Sequence, residues 1–431
     1  MKKVVLVSGL MLFSFFFGAG NLIFPPMLGY TAQSSMWIAM VGFAITGILL
    51  PYLTVIVVAY LNGGVEQVGR RISPLFGVIF AVLIYMSIGA FYGIPRAANV
   101  AYEIGTRNIL PVHNTWTLIA FSLVFFLIVY IIALYPNRII DNIGKYLTPA
   151  LLIIILLLCV FVIFNPQGHI GAPTGKYEQA PIISGILEGY FTLDLIAALA
   201  FSVVVVQAMK MAGINDRRTL VKNVIKAGAI SALLLGLIYF ALAYVGATTS
   251  KSGFKDGTDI LTFNSLRVFG TFGDILFSAI VVLACLTTCI GLVNACAAFA
   301  MSKYNKISYK IYVLIFAVLG FLISTLGLEL ILQIAVPLLT FIYPVSIVLV
   351  LTSFADIFIR HELKYGFILP TIVALIVSVL QIFSDFKLIH AIGVLYQKLP
   401  LSDVQLAWLI PAIVLFIIGV IIDRVRLRKH A

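Results

Sequence analysis

The sequence predicts an all-α integral membrane protein with about twelve transmembrane helices. Three observations carry this. Of 431 residues, 62% are hydrophobic and only 10% charged, whereas a soluble domain averages about 25% charged. The mean hydropathy is +1.15. Apolar runs recur at the length that lets a helix cross a bilayer, about 20 residues. Twelve such spans use roughly 240 residues, so the loops are short and no separate soluble domain fits. The same composition argues against a disordered chain, a coiled coil or a disulfide scaffold.

The apolar runs fall at roughly 4–30, 36–61, 76–102, 115–135, 146–164, 182–209, 225–247, 274–301, 309–326, 328–352, 366–384 and 405–422. The first follows Met1-Lys2-Lys3 but is too long for a signal peptide. It also carries Gly18 to Asn21 and Pro25-Pro26 in place of a cleavage site, so it reads as a retained first helix. The net charge of +12 would suggest nucleic acid in a soluble protein. Here alternate loops hold 20 basic residues against 7, with Arg96 inside a span, of 28 in all. Such a bias marks the cytoplasmic side. It predicts an even number of spans, both termini in the cytoplasm, and no nucleic-acid partner. The four cysteines, Cys159, Cys285, Cys289 and Cys296, sit in apolar runs and read as packing residues. The outside loop 248–273 contains Ile260, Phe263, Leu266 and Val268 at a spacing that predicts a short amphipathic helix.

Interruptions and charges inside spans are the informative residues, because unpaired polar groups are costly in hydrocarbon. The first is SFFFGAGNLIFPP, Ser14 to Pro26. Gly18 and Gly20 allow non-helical backbone, Asn21 adds a carboxamide, and Pro25 and Pro26 lack amide hydrogens. Together they favour a helix broken near residues 18–21; a tight crossing with a proline kink is the alternative. The second is GIPRAANVAYEIG, where Arg96 and Glu103 lie two turns apart on one face. They read as a structural or coupling ion pair, with Asp194 or freed carbonyls as other partners for Arg96. The third is YFTLDLIAALAFS, where Asp194 is the carboxylate placed well inside a span. It faces a cavity or marks a helix end, and no glycine lies between Gly189 and Gly213 to ease an unwinding. The fourth is CLTTCIGLVNA. Thr287 and Thr288 there either bond back to their own helix or offer hard oxygens to Na+.

The most disturbed spans are the first and the sixth, five apart, so they run in opposite directions. Paired breaks of opposite orientation predict an inverted-repeat transporter. Helix amino ends at such a crossing favour an anion, and unwound carbonyls favour a cation.

LFSFFFGAGNLIFPPMLG, GIPRAANVAYEIG, GYFTLDLIAALAFSVVV and ACLTTCIGL resemble the bacterial branched-chain amino-acid carriers, the leucine/isoleucine/valine cation symporters. The resemblance covers essentially the whole chain. It implies a LeuT-type fold: a five-helix repeat over 1–164, a second over 165–352, and two extra helices with a basic cytoplasmic tail over 353–431. It implies import of leucine, isoleucine and valine across the bacterial cytoplasmic membrane, coupled to Na+ or H+, with another neutral amino acid or small zwitterion as the rival substrate. No cofactor beyond the coupling ion is expected, and lipid is the other partner. By the resemblance, the Ala19 and Gly20 backbone receives the substrate carboxylate with Asn21 nearby. Phe191, Thr192 and Asp194 face its amine. Ser14 and Phe17, through their carbonyls, join Thr287 and Thr288 at a cation site, and Asn21, Thr192 and Asp194 are further cation ligands. Asp194 stands where distant LeuT-fold relatives have a neutral hydroxyl residue, which leaves the cation open between Na+ and H+. An ion channel would need a line of pore-facing polar residues. An enzyme would need clustered catalytic groups, and the five histidines are scattered.

Overall fold

Backbone amides in a bilayer core must bond within their own segment, and helices achieve this. A computed structural model describes residues 2–61, 64–107, 112, 114–135, 140–250, 253–359, 363–386 and 390–430. Among the described residues the regular structure is helical, apart from an isolated bridge between Gln167 and Thr249.

The first apolar run is divided. Helix α1 (Lys2–Phe16) ends before Phe17 and Gly18, and α2 (Ala19–Ala32) resumes beyond them. The next run is α3 (Met36–Ala44), a π-helical turn over Ile45–Leu49, and α4 (Leu50–Leu61). Short α5 (Val65–Arg70) leads into α6 (Pro74–Ile84), which Ser73 caps by accepting from the Phe76 amide at 3.1 Å. A π-helical stretch, Tyr85–Phe91, joins α6 to α7 (Gly93–Glu103). Helix α8 (Thr115–Ala133) opens on an Asn114–Thr117 capping box, and α9 (Thr148–Phe164) follows a π-helical stretch at Ile140–Leu147.

After the single turn α10 (Lys176–Gln179), a second divided pass begins. Helix α11 (Pro181–Phe191) and α12 (Asp194–Met211) are separated by Thr192 and Leu193. Then come α13 (Arg217–Ala247), α14 (Gly257–Phe269), α15 (Thr271–Lys303), α16 (Tyr309–Ser324) and α17 (Leu328–Phe358). Helices α18 (Tyr365–Asp385), α19 (His390–Gln397) and α20 (Leu409–His430) complete the chain.

Among the described residues, nine helices are long and apolar enough to cross a membrane. The number is below twelve for local reasons. Residues Gly20–Leu61 run as one helical stretch, α16 has only 16 residues, and α20 carries Asp423, Arg424 and Arg426.

Glycines set the closest helix crossings. A Cβ on Gly29 of α2 would lie 1.8 Å from the Ala243 carbonyl oxygen of α13, and one on Gly246 1.9 Å from that of Pro26. Helices α3 and α11 repeat the device through Gly42 and Gly185, with Cβ positions 2.1 and 1.9 Å from the Ile182 and Ala39 carbonyl oxygens. Small residues let backbones approach where lipid supplies no hydrophobic drive. Helices α18 and α20 pack on each other and on α17. Buried Asp423 of α20 accepts from the Lys364, Tyr365 and Gly366 amides at 2.8–3.0 Å, capping α18.

The expected amphipathic helix of the 248–273 loop is α14, and its buried face overlaps the anticipated one in part, with Phe263 and Val268 half-buried. Ile260, Leu261, Asn264 and Ser265 are buried, while Leu266 is 47% exposed. Asn264 on the buried side donates to Thr249 Oγ1 at 2.9 Å, which ties the helix to the loop before it.

Candidate functional site

The two divided passes meet at a cavity of about 110 Å³. Its lining includes Gly18, Gly20 and Asn21 from the first, and Thr192, Leu193 and Asp194 from the second. Helix α7 contributes Arg96, and α15 contributes Cys285, Thr288 and Leu292.

The first division follows from backbone accounting. The last carbonyls of a helix have no partner within it. Here the Phe13 oxygen accepts from the Phe17 amide, and the Phe16 oxygen from the Gly18 amide, both at 2.8 Å. The Ser14 and Phe15 oxygens turn to α15. Thr287 Oγ1 donates to Ser14 at 3.0 Å, and Thr288 Oγ1 to Phe15 at 3.0 Å and Ser14 at 3.4 Å. Thr287 also bonds back to its own helix, at Leu283 and Ala284. Thr288 reaches across only, in the bonds it makes among the described residues. Its hydroxyl lies 3.1 Å from the position of a Cβ on Gly18, so a side chain there would crowd the junction.

The second division is made without glycine. Leu193 takes φ 60° and ψ 18°, a left-handed conformation that costs an ordinary residue about 1–2 kcal/mol. Thr192 Oγ1 donates to the Gly189 carbonyl at 2.8 Å. Asp194 is thus both inside the pass and the first residue of α12, where the helix amino end favours an anion. It is 7% exposed. Asn21 Nδ2 donates to Asp194 Oδ2 at 3.0 Å and also to the Tyr239 hydroxyl. One carboxamide therefore links α2, α12 and α13.

Several expected residues take other places. The Phe17 ring is fully buried, stacked on Phe13 and Tyr239, and the threonines bond to the Ser14 and Phe15 carbonyls, not to that of Phe17. Phe191 ends α11 and is 41% exposed, edge-on to Tyr190 and away from the cavity lining. Arg96 and Glu103 form no ion pair among the described residues. Arg96 Nη1 donates instead to the Tyr92 hydroxyl at 2.5 Å, with its guanidinium 5.0 Å from the Tyr92 ring centre, while Glu103 is exposed two turns away. Ala19 opens α2, and Gly20 and Asn21 line the cavity.

Sequence reasoning missed Tyr92, Tyr239 and the apolar wall. That wall includes Phe15, Phe16, Ile88, Phe201, Leu292 and Leu339. Tyr239 had a signal: a fully buried phenol in a mid-span run of aliphatic residues needs a polar partner. Tyr92 follows the π-helical stretch Tyr85–Phe91, a backbone irregularity of the kind that concentrates at functional sites.

Solved structures share this architecture. Mhp1, a nucleobase-cation-symport-1 family transporter, matches with a TM-score of 0.59 at 14% identity over 97% of this chain and 92% of its own. A manganese transporter of Eremococcus coleocola matches at 0.57 and 16% identity, over 98% and 95%. Helix lengths and fold together define an all-helical, multi-pass membrane protein with the LeuT-type architecture of these solved transporters. The chain belongs to the family described as "Branched-chain amino acid transport protein", whose profile matches residues 1–426. The branched-chain amino acid permease BraB of Bacillus subtilis (strain 168) is 39% identical over 97% of this chain and 95% of its own length. BrnQ of Corynebacterium glutamicum is 38% identical over 98% and 96%, and BrnQ of Escherichia coli (strain K12) 34% over 98% and 96%. Membership in a family of transport proteins bears out the expectation that the chain is not an enzyme.

Proposed function

We propose that the protein is a secondary active symporter that imports leucine, isoleucine and valine across the cytoplasmic membrane, driven by a Na+ or H+ gradient. The observation that carries this is the cavity where the two divided passes meet, with Asn21 bonded to Asp194 across it. Substrate enters from outside, and its ammonium meets Asp194. Its branched chain packs on the Phe15, Phe201, Leu292 and Leu339 wall. Burying a leucine side chain contributes about 1.5–3 kcal/mol. One methylene changes binding by only about 1–3 kcal/mol, so the three aliphatic substrates share one site. The coupling cation binds among Thr288, Thr287 and the Ser14 and Phe15 carbonyls, or the coupling proton resides on Asp194.

Residues 1–164 and 165–352 act as the inverted repeats, with 353–431 peripheral; the packing of α18 and α20 chiefly on each other and on α17 supports this division. Both termini face the cytoplasm, as the basic-residue bias indicates. Alternating access follows when cation and substrate together bind the closed state more tightly than the open one. Competition of labelled-leucine uptake by the other amino acids tests the substrate. Isoleucine and valine should compete strongly and alanine or glycine weakly; the reverse order would replace the branched-chain assignment with a small neutral substrate.

A further inference from the structure

Arg96 is unexplained by everything above. A guanidinium stays charged at any physiological pH and is costly to hold inside a membrane protein. It is half-buried, lines the cavity, and forms no ion pair with Asp194 or Glu103 among the described residues. Its bond to Tyr92 and its place over that ring orient the fork, and Asp194 on the same cavity is near enough to feel its charge but forms no ion pair with it among the described residues.

Its position adds to the puzzle. Arg96 Nη2 lies 3.6 Å from where a Cβ on Gly20 would stand, beside the first turn of α2. The amino end of a helix carries partial positive charge. A guanidinium set against it is repulsive unless an anion lies between them. Gly20 has no side chain to fill that space.

Arg96 and Asp194 are the two charged residues in the cavity lining. One pole is cationic and the other anionic, and they stand on different helices with no ion pair between them among the described residues. An α-amino acid carries the complementary two poles. We infer that Arg96, oriented by Tyr92, is the receptor for the substrate carboxylate, acting with the α2 amino end, while Asp194 receives the ammonium. This rests on the proposed transport of amino acids and assigns the recognition of their common headgroup to a side chain. The requirement for an unmodified α-carboxylate then follows from Arg96, as the preference for branched chains follows from the apolar wall.

Ligand-induced thermal shifts of the purified full-length protein test this, with leucine, leucinamide and 3-methylbutylamine as probes. The last two keep the ammonium and alkyl chain but lack the carboxylate. Wild type should bind leucine about 10- to 100-fold more tightly than leucinamide, the range expected for a charge-assisted hydrogen bond. In Arg96→Gln that ratio should fall to within about threefold of unity, with leucinamide binding little changed. Arg96→Lys keeps the charge without the fork and should retain an intermediate ratio. Tyr92→Phe should lower the ratio by less than Arg96→Gln.

A merely structural arginine would weaken leucine and leucinamide alike, and that outcome overturns the inference. So does a wild type that binds both equally, which holds even if Arg96→Gln fails to fold. A wild type that binds none of the three probes contradicts the proposed substrate class itself, a separate failure.

Discussion

The polar centre depends on few side chains. Asn21 donates to Asp194 and to Tyr239, so a single carboxamide holds three helices in register. Asp194→Asn keeps the shape and removes the negative pole. It should cut leucine uptake about 100-fold or more, since a charged hydrogen bond and the ion attraction are lost together. Membrane insertion should be unchanged, and wild-type uptake in this variant would remove the carboxylate from the site. At the threonines, the bonding pattern separates two neighbours. Thr287 shares its one hydroxyl proton between its own helix and the Ser14 carbonyl, whereas the bonds of Thr288 among the described residues all reach across to α1. Thr288→Ala should therefore raise the cation concentration needed for half-maximal uptake more than Thr287→Ala. Equal, unshifted cation dependence in both variants would return the hydroxyls to helix packing. Much of this centre was readable in the sequence, because an Asn beside Gly-x-Gly and an Asp inside an apolar run are costly in lipid and stand out. Tyr239 left a weaker signal, a phenol in an apolar mid-span run, while Tyr92 and the Phe15 carbonyl left none, since a ring beside a helix irregularity or a backbone oxygen gains meaning only from what the fold sets opposite it.

The helices divide by two different means. In the first pass Gly18 takes an extended conformation open to any residue (φ −102°, ψ −173°), and its missing side chain leaves room for the Thr288 hydroxyl. The glycine and proline pattern pointed to residues 18–21, and α1 and α2 part at Phe17 and Gly18. In the second pass Leu193 bears the left-handed conformation that no nearby glycine relieves. Leu193→Val should lower the apparent melting temperature by the equivalent of about 1–2 kcal/mol, because a β-branched residue tolerates positive φ worst. Leu193→Gly should be near neutral; equal losses in both would show that side-chain packing, not backbone strain, governs the position. Crossings follow the same logic. Gly29→Ala must displace the Ala243 carbonyl and should destabilise by about 1–3 kcal/mol or more. Gly236→Ala meets only Ile48 at 3.7 Å and should be neutral or stabilising. Thermal unfolding in detergent compares the two, and equal effects would contradict the crossing geometry. The sequence pattern located α14 by its apolar spacing but did not show that Asn264 and Ser265 turn inward, because polar residues do so only where the fold supplies partners such as Thr249.

For the whole molecule, composition and charge determined the class early, since lipid leaves a chain of this hydropathy few ways to fold. What composition could not supply was the set of neighbours. The cavity wall draws Phe15, Ile88, Phe201, Leu292 and Leu339 from five separate stretches, and none is distinguishable by type from the surrounding apolar residues. Topology is testable on its own: a reporter fused after Ala431 should be active only in the cytoplasmic form, and periplasmic activity would invert the basic-residue argument. The central claim is coupled transport, and uptake of labelled leucine into proteoliposomes measures it most directly. Under an inward Na+ gradient or an inward proton gradient, applied separately, one should drive leucine above its outside concentration and an ionophore should abolish the accumulation. Leucine that only equilibrates, or fails to enter under both gradients, would contradict the account.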